Sequence, residues 1–224
     1  MARHHALPPL SEVYQRLREH FGHRNWWPGE TPFEVMVGAI LTQNTAWSNV
    51  EKAIRNLKAN NALSIKGIRE AREGELAEWI RPSGYFNQKA RKLKALVAFI
   101  DETHGGSLAR MRKVPLEELR AQLLRVNGIG PETADSILLY ALDKPIFVVD
   151  AYTRRIFTRH FYLNGKPSYH AIQERFMREC PPDAEFYNDF HAQIVEAGKS
   201  YCRKRPLCAI CPLEPLPHSA EQGA

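Results

Sequence analysis

Residues 116–161 constrain this chain more than any other stretch. Leu116 to Val126 places Leu116, Leu119, Leu123 and Leu124 at helical spacing. The link Asn127-Gly128-Ile129-Gly130-Pro131 follows. Its two glycines allow left-handed backbone and close approach by another molecule. Pro131 suits the first turn of a second helix, predicted from Glu132 to about Leu142, with Ala134, Ile137, Leu138 and Ala141 as its apolar face. Two helices joined in this way present amide groups at a helix N-terminus, which attracts anions and above all phosphate. A plain helix–helix corner would not need the pattern Leu-x-x-x-x-Gly-Ile-Gly-Pro-x-Thr-Ala.

The same stretch continues with an apolar segment, Pro145 to Val149, ending in Asp150. A basic amphipathic helix is expected from Ala151 to Phe161, carrying Arg154, Arg155 and Arg159. Asp150 falls where an N-cap belongs. A carboxylate ionised beside the helix dipole can also stabilise positive charge or orient a water.

The hairpin together with "VVDAYTRR" resembles the helix-hairpin-helix, Gly/Pro-Asp superfamily of DNA base-excision glycosylases. The likeness to its endonuclease III group spans roughly residues 30–216. The resemblance implies that the hairpin, through Gly128, Gly130 and Thr133, grips DNA phosphates, often with a monovalent cation. It implies that Asp150 is the catalytic carboxylate. It implies too that Gln43, in "AILTQNT", fills the gap left in the duplex by an extruded nucleotide. Bifunctional members carry a lysine nucleophile just after the Gly-x-Gly. This sequence reads Gly130-Pro131-Glu132, and a glutamate cannot form a Schiff base. The expectation is therefore base removal without strand cleavage.

Within the superfamily, Trp26-Trp27-Pro28, "TQNTAW" and "RPSGYFNQKARKLKAL" most resemble the 3-methyladenine DNA glycosylase branch. That likeness puts Trp26, Trp27, Pro28, Trp47 and Glu132 around the base pocket. The chemistry is consistent, because a 3-alkylated adenine is cationic and aromatic faces attract cations. Taken alone, two loop tryptophans read first as a plug in the core, and Glu132 as favourable charge in a first helical turn.

Elsewhere the periodicity predicts helices over 7–21, from Thr31 through Leu41, 48–58, 68–80, 87–101, 169–178 and 189–199. Thr31-Pro32-Phe33-Glu34 has the residues of a capped helix start. Lys89, Arg91, Lys92 and Lys94 read as a solvated basic face with phosphate contacts in reach. With 44% hydrophobic and 25% charged residues, the 224-residue chain has a globular composition. A net charge of +6 suits a nucleic-acid partner. The first nine residues show no secretory pattern, which implies a cytoplasmic protein.

Cys202, Cys208 and Cys211 read C-x5-C-x2-C. Endonuclease III relatives close this region with four cysteines around a [4Fe–4S] cluster, and thiolates are the usual ligands for one. The fourth cysteine, expected near Pro217, is missing, and His218 stands beside that position. A decayed site with free thiols is the other reading.

The expected fold is all-α and two-lobed, with a cleft between a helical barrel and a second helical lobe. The barrel would span 33–142, with the hairpin at about 116–142, and the other lobe 1–32 plus 143–224. The expected partner is duplex DNA containing damaged bases, bound by a monomer, and the expected reaction is hydrolytic release of an alkylated purine. The rivals are a glycosylase for mismatched or oxidised bases and a non-catalytic DNA-binding hairpin protein.

Overall fold

The structure is a computed structural model that describes residues 7–24 and 29–221. Its regular elements are helical, and no strand occurs among the described residues. The α-helices are α1 (Leu10–Phe21), α2 (Pro32–Leu41), α3 (Trp47–Ala59), α4 (Ile65–Glu70), α5 (Glu73–Trp79), α6 (Phe86–His104), α7 (Leu108–Lys113), α8 (Leu116–Leu123), α9 (Pro131–Ser136), α10 (Ala151–Arg159), α11 (Tyr169–Glu179) and α12 (Ala184–Ser200). No helix among them is long and apolar enough to cross a membrane. The chain divides into two compact units. One ends at Lys144 and holds α2 to α9; the other joins α1 to everything from Pro145 onward.

In the unit of α2 to α9, α2 is the central helix. Every residue from Phe33 to Leu41 is buried. A helix apolar on all sides belongs inside a domain. Its start is fixed by Thr31, whose hydroxyl accepts from the Glu34 amide at 3.1 Å, with Pro32 at the first helical position. The predicted single helix over 68–80 is two helices, because the chain turns extended at Ala71 and Arg72 before α5 begins. The predicted 132–142 helix begins at Pro131 and changes after Ser136 into a π-helical stretch, Ile137–Ala141. It closes in the manner of a Schellman cap, with Asp143 at φ +55° and the Lys144 amide donating to Leu138 O at 2.9 Å.

In the unit of α1 and α10 to α12, the core is aromatic. Phe147 stacks on Phe176 with centroids 4.2 Å apart, and Phe157 meets Phe176 edge-on at 4.8 Å. Such pairs add about 0.5–1.5 kcal/mol each beyond area burial. Ile146 to Val149 are all buried, as their apolar run requires. That segment has no ladder to join, so its backbone is satisfied by side chains. Phe147 O accepts from Gln173 Nε2 at 2.7 Å, and the Val149 amide donates to Tyr169 Oη at 3.3 Å. Both α11 residues therefore fix where Asp150 emerges.

Candidate functional site

The hairpin is built by α8, the link 124–130 and α9. Val126 and Ile129 are buried, whereas Leu124, counted on the apolar face of the first helix, is 37% exposed because α8 ends one residue earlier. Arg120 on α8 donates through Nε and Nη2 to the two oxygens of Asp135 on α9, at 2.7 and 3.1 Å. Asp135 is fully buried, so this bidentate pair braces the two helices against each other. Gly128 takes φ +82°, a region that favours glycine. A Cβ there would also collide with the side-chain stem of Lys92. Gly130 differs from expectation: its φ is −92°, which any residue adopts. The space where its Cβ would stand is open, which leaves room for another molecule to approach the backbone.

Gln43 lies on this hairpin. Its Nε2 donates to Gly128 O at 3.2 Å and to Thr133 Oγ1 at 2.9 Å. Its Oε1 accepts from Lys92 Nζ at 2.5 Å. One side chain thus ties the end of α2, the hairpin and α6 together. Gln43, Asn44, Glu132, Thr133 and Ser136 line one polar concavity beside α2. Trp47 lines a different one, with Glu34, Gly38, Glu51, Ile54 and Arg55. Of the expected base-pocket residues, Glu132 and Trp47 therefore border separate hollows. Trp26, Trp27 and Pro28 lie outside the described residues.

The basic run on α6 is not one solvated face. Lys89 is buried at 1% exposure and donates to Leu41 O and Ser83 O at 2.8 and 2.6 Å. Lys92 reaches Gln43. Lys94 caps the carbonyls of Arg69 and Ala71. Arg91 alone of the four is exposed, paired with Glu73. Helical spacing places these residues around the cylinder, and only the neighbours decide which of them face inward. Tyr85, just before α6, is 66% exposed and holds φ +47°, unusual for a bulky residue.

Asp150 caps α10. Its Oδ1 accepts from the Thr153 amide at 2.7 Å and from Thr153 Oγ1 at 2.9 Å. Its Oδ2 stands 3.7 Å from Nε2 of His191, a buried residue of α12. Burial pushes the carboxyl upward. The charge and hydrogen bonding of His191 and the two Thr153 bonds outweigh it, so the group is held below the usual carboxylate range. The site can keep a negative charge beside a developing cation. His191 carried no signal in the sequence, since its partner is 41 positions away, as the numbers 150 and 191 give.

Cys202, Cys208 and Cys211 line one cavity with Arg159, His160 and His218. Arg159 Nη1 donates to Cys202 Sγ at 3.1 Å. Nδ1 of His218 lies 2.9 Å from Leu216 O, so it carries the ring proton and leaves the Nε2 lone pair available. Burial lowers His160 to about 4. Among the described residues, no three donors converge as a single metal ion requires. Three thiols and an imidazole bordering one cavity are donor types that an iron–sulfur group uses.

Residues 37–182 match the profile of the HhH-GPD superfamily base excision DNA repair protein. The chain is 51% identical over 207 residues to a protein of Methanocaldococcus jannaschii provisionally named a DNA repair glycosylase, covering 92% of this chain and 94% of that one. It is 28% identical over 183 residues to endonuclease III of Thermotoga maritima, covering 80% and 79%. Its fold superposes with a TM-score of 0.74 on a Helicobacter pylori 3-methyladenine DNA glycosylase bound to 1,N6-ethenoadenine, at 31% identity, covering 84% of this chain and 96% of that one.

Proposed function

Because the chain belongs to the HhH-GPD superfamily of base-excision DNA repair proteins and is a DNA glycosylase of that superfamily, we propose that it releases alkylated, cationic purines such as 3-methyladenine from duplex DNA without cutting the strand. The observation that carries this reading is the Asp150 carboxylate, held ionised at the start of α10 while the hairpin position that would supply an amine holds Glu132. An ionised carboxylate stabilises the positive sugar that forms as the base departs, and helps a water attack it. A cationic base is already a good leaving group, so no strong general acid is required.

The 31% identity to a 3-methyladenine glycosylase supports the substrate class. So does the presence of an indole, Trp47, in the lining of a hollow beside Glu34 and Glu51. The hairpin amides of α9 are suited to a DNA phosphate, and carbonyls of the link to a monovalent cation. Gln43 and the exposed ring of Tyr85 are suited to enter the base stack once a nucleotide is extruded. Cys202, Cys208, Cys211 and Nε2 of His218 would hold an iron–sulfur cluster. Such a group would supply a covalent tie between the end of α12, through Cys202, and the C-terminal segment, and no part of the hydrolysis runs through it.

Release of free bases from methylated DNA, resolved by chromatography, tests the proposal. Free 3-methyladenine with intact strands is the expected product. Release of oxidised or mismatched bases alone would move the enzyme to its rival class.

A further inference from the structure

We propose that Lys89 is a positioning residue that makes the Gln43 turn and the Tyr85 turn a single rigid unit. The inference rests on the reading above that Gln43 and Tyr85 both enter the base stack. Lys89 Nζ donates to Leu41 O at 2.8 Å and to Ser83 O at 2.6 Å. Leu41 ends α2 and stands two residues before Gln43; Ser83 stands two residues before Tyr85. The ammonium is thus a strut between the two backbones from which those side chains project. Three residues on, Lys92 holds the amide oxygen of Gln43. One helix therefore grips the Gln43 turn by both backbone and side chain.

The choice of a buried cation is informative. An ammonium taken out of water is costly unless its donors are satisfied. Burial, aided by the charge of Lys92, lowers Lys89 to about 8. Holding a core together would be met more cheaply by an apolar side chain of similar length. A lysine does what an apolar residue cannot: it holds two carbonyl oxygens at fixed separation, one of them at the negative end of α2. Tyr85 keeps its left-handed backbone on the same turn. Such strain persists only where neighbours over-determine it.

Coupling between Gln43 and Tyr85 tests the strut. The rate of nucleotide extrusion would be followed by stopped-flow fluorescence of a duplex carrying 2-aminopurine beside an abasic-site analogue. Gln43→Ala, Tyr85→Ala and the double variant would be compared in the wild-type protein and in Lys89→Met. Each single change is expected to slow extrusion roughly tenfold, and in wild type the double variant should be little slower than either, since parts of one unit are not additive. In Lys89→Met the two losses should become independent and multiply to about a hundredfold. Lys89→Gln, a shorter neutral donor unable to span both carbonyls, gives a second route if Lys89→Met melts below the assay temperature. A lysine that only stabilises the fold would lower the melting temperature and leave the coupling intact, which would overturn the proposal alone. Normal extrusion in both alanine variants would overturn the insertion reading and the proposal with it.

Discussion

His191 Nε2 stands 3.7 Å from Oδ2 of Asp150, while the other carboxylate oxygen is committed to capping α10 through Thr153. The two oxygens of one carboxylate thus have separate duties. Oδ1 fixes the side chain, and Oδ2 faces the His191 ring. Buried charges persist where they are paired, and His191 supplies that pairing from α12.

Replacing His191 by Ala removes a charge that lowers Asp150 and leaves the burial that raises it. The acid limb of the rate–pH profile should therefore move toward neutral pH. Stability follows the same sign. A carboxyl depressed in the folded state contributes stability above its unfolded value and loses it as pH falls through the folded one. The loss should begin at higher pH in the variant. Asp150→Asn should keep the helix cap, since Asn also caps well, yet lose base release by at least about a hundredfold. Single-turnover rates across pH check both, and normal turnover in Asp150→Asn would reduce the residue to a cap.

Glu132 occupies the hairpin position of the lysine nucleophile. Incubation with abasic-site DNA and borohydride should therefore give no covalent adduct. Efficient trapping would place an amine nucleophile elsewhere and end the claim of simple hydrolysis.

Trp47→Leu keeps apolar bulk and removes the aromatic ring from the hollow that Glu34 and Glu51 also line. Cation–π attraction is worth about 0.5–2 kcal/mol. Excision of 3-methyladenine should fall by roughly twofold to thirtyfold, and more than excision of neutral hypoxanthine. Equal losses on both bases, tracking the melting temperature, would make the indole a packing residue.

The C-terminal cavity is tested by its iron. Protein purified anaerobically from iron-replete cells should be brown and contain iron and sulfide. His218→Cys restores four thiols and should keep the colour, whereas His218→Ala should bleach faster in air. Colourless, iron-free wild-type protein would favour a decayed site.

Sequence alone determined the elements whose signal is local. The Gly-Ile-Gly-Pro link, the Thr31 and Asp150 caps and the apolar run before Asp150 each fix backbone within a few residues, so they could be read directly. The break between α4 and α5 was missed because apolar periodicity runs on across a chain that briefly becomes extended. What only the tertiary structure decided is which polar groups lie inside and what they hold. Lys89 and Arg91 are two positions apart on one helix, yet one is a buried strut and the other a surface ion pair. His191 meets Asp150, and Lys92 meets Gln43, across long stretches of chain. Charge and hydrogen bonding act through space, so a side chain's partners are set by how helices pack, and no periodicity along the chain records them.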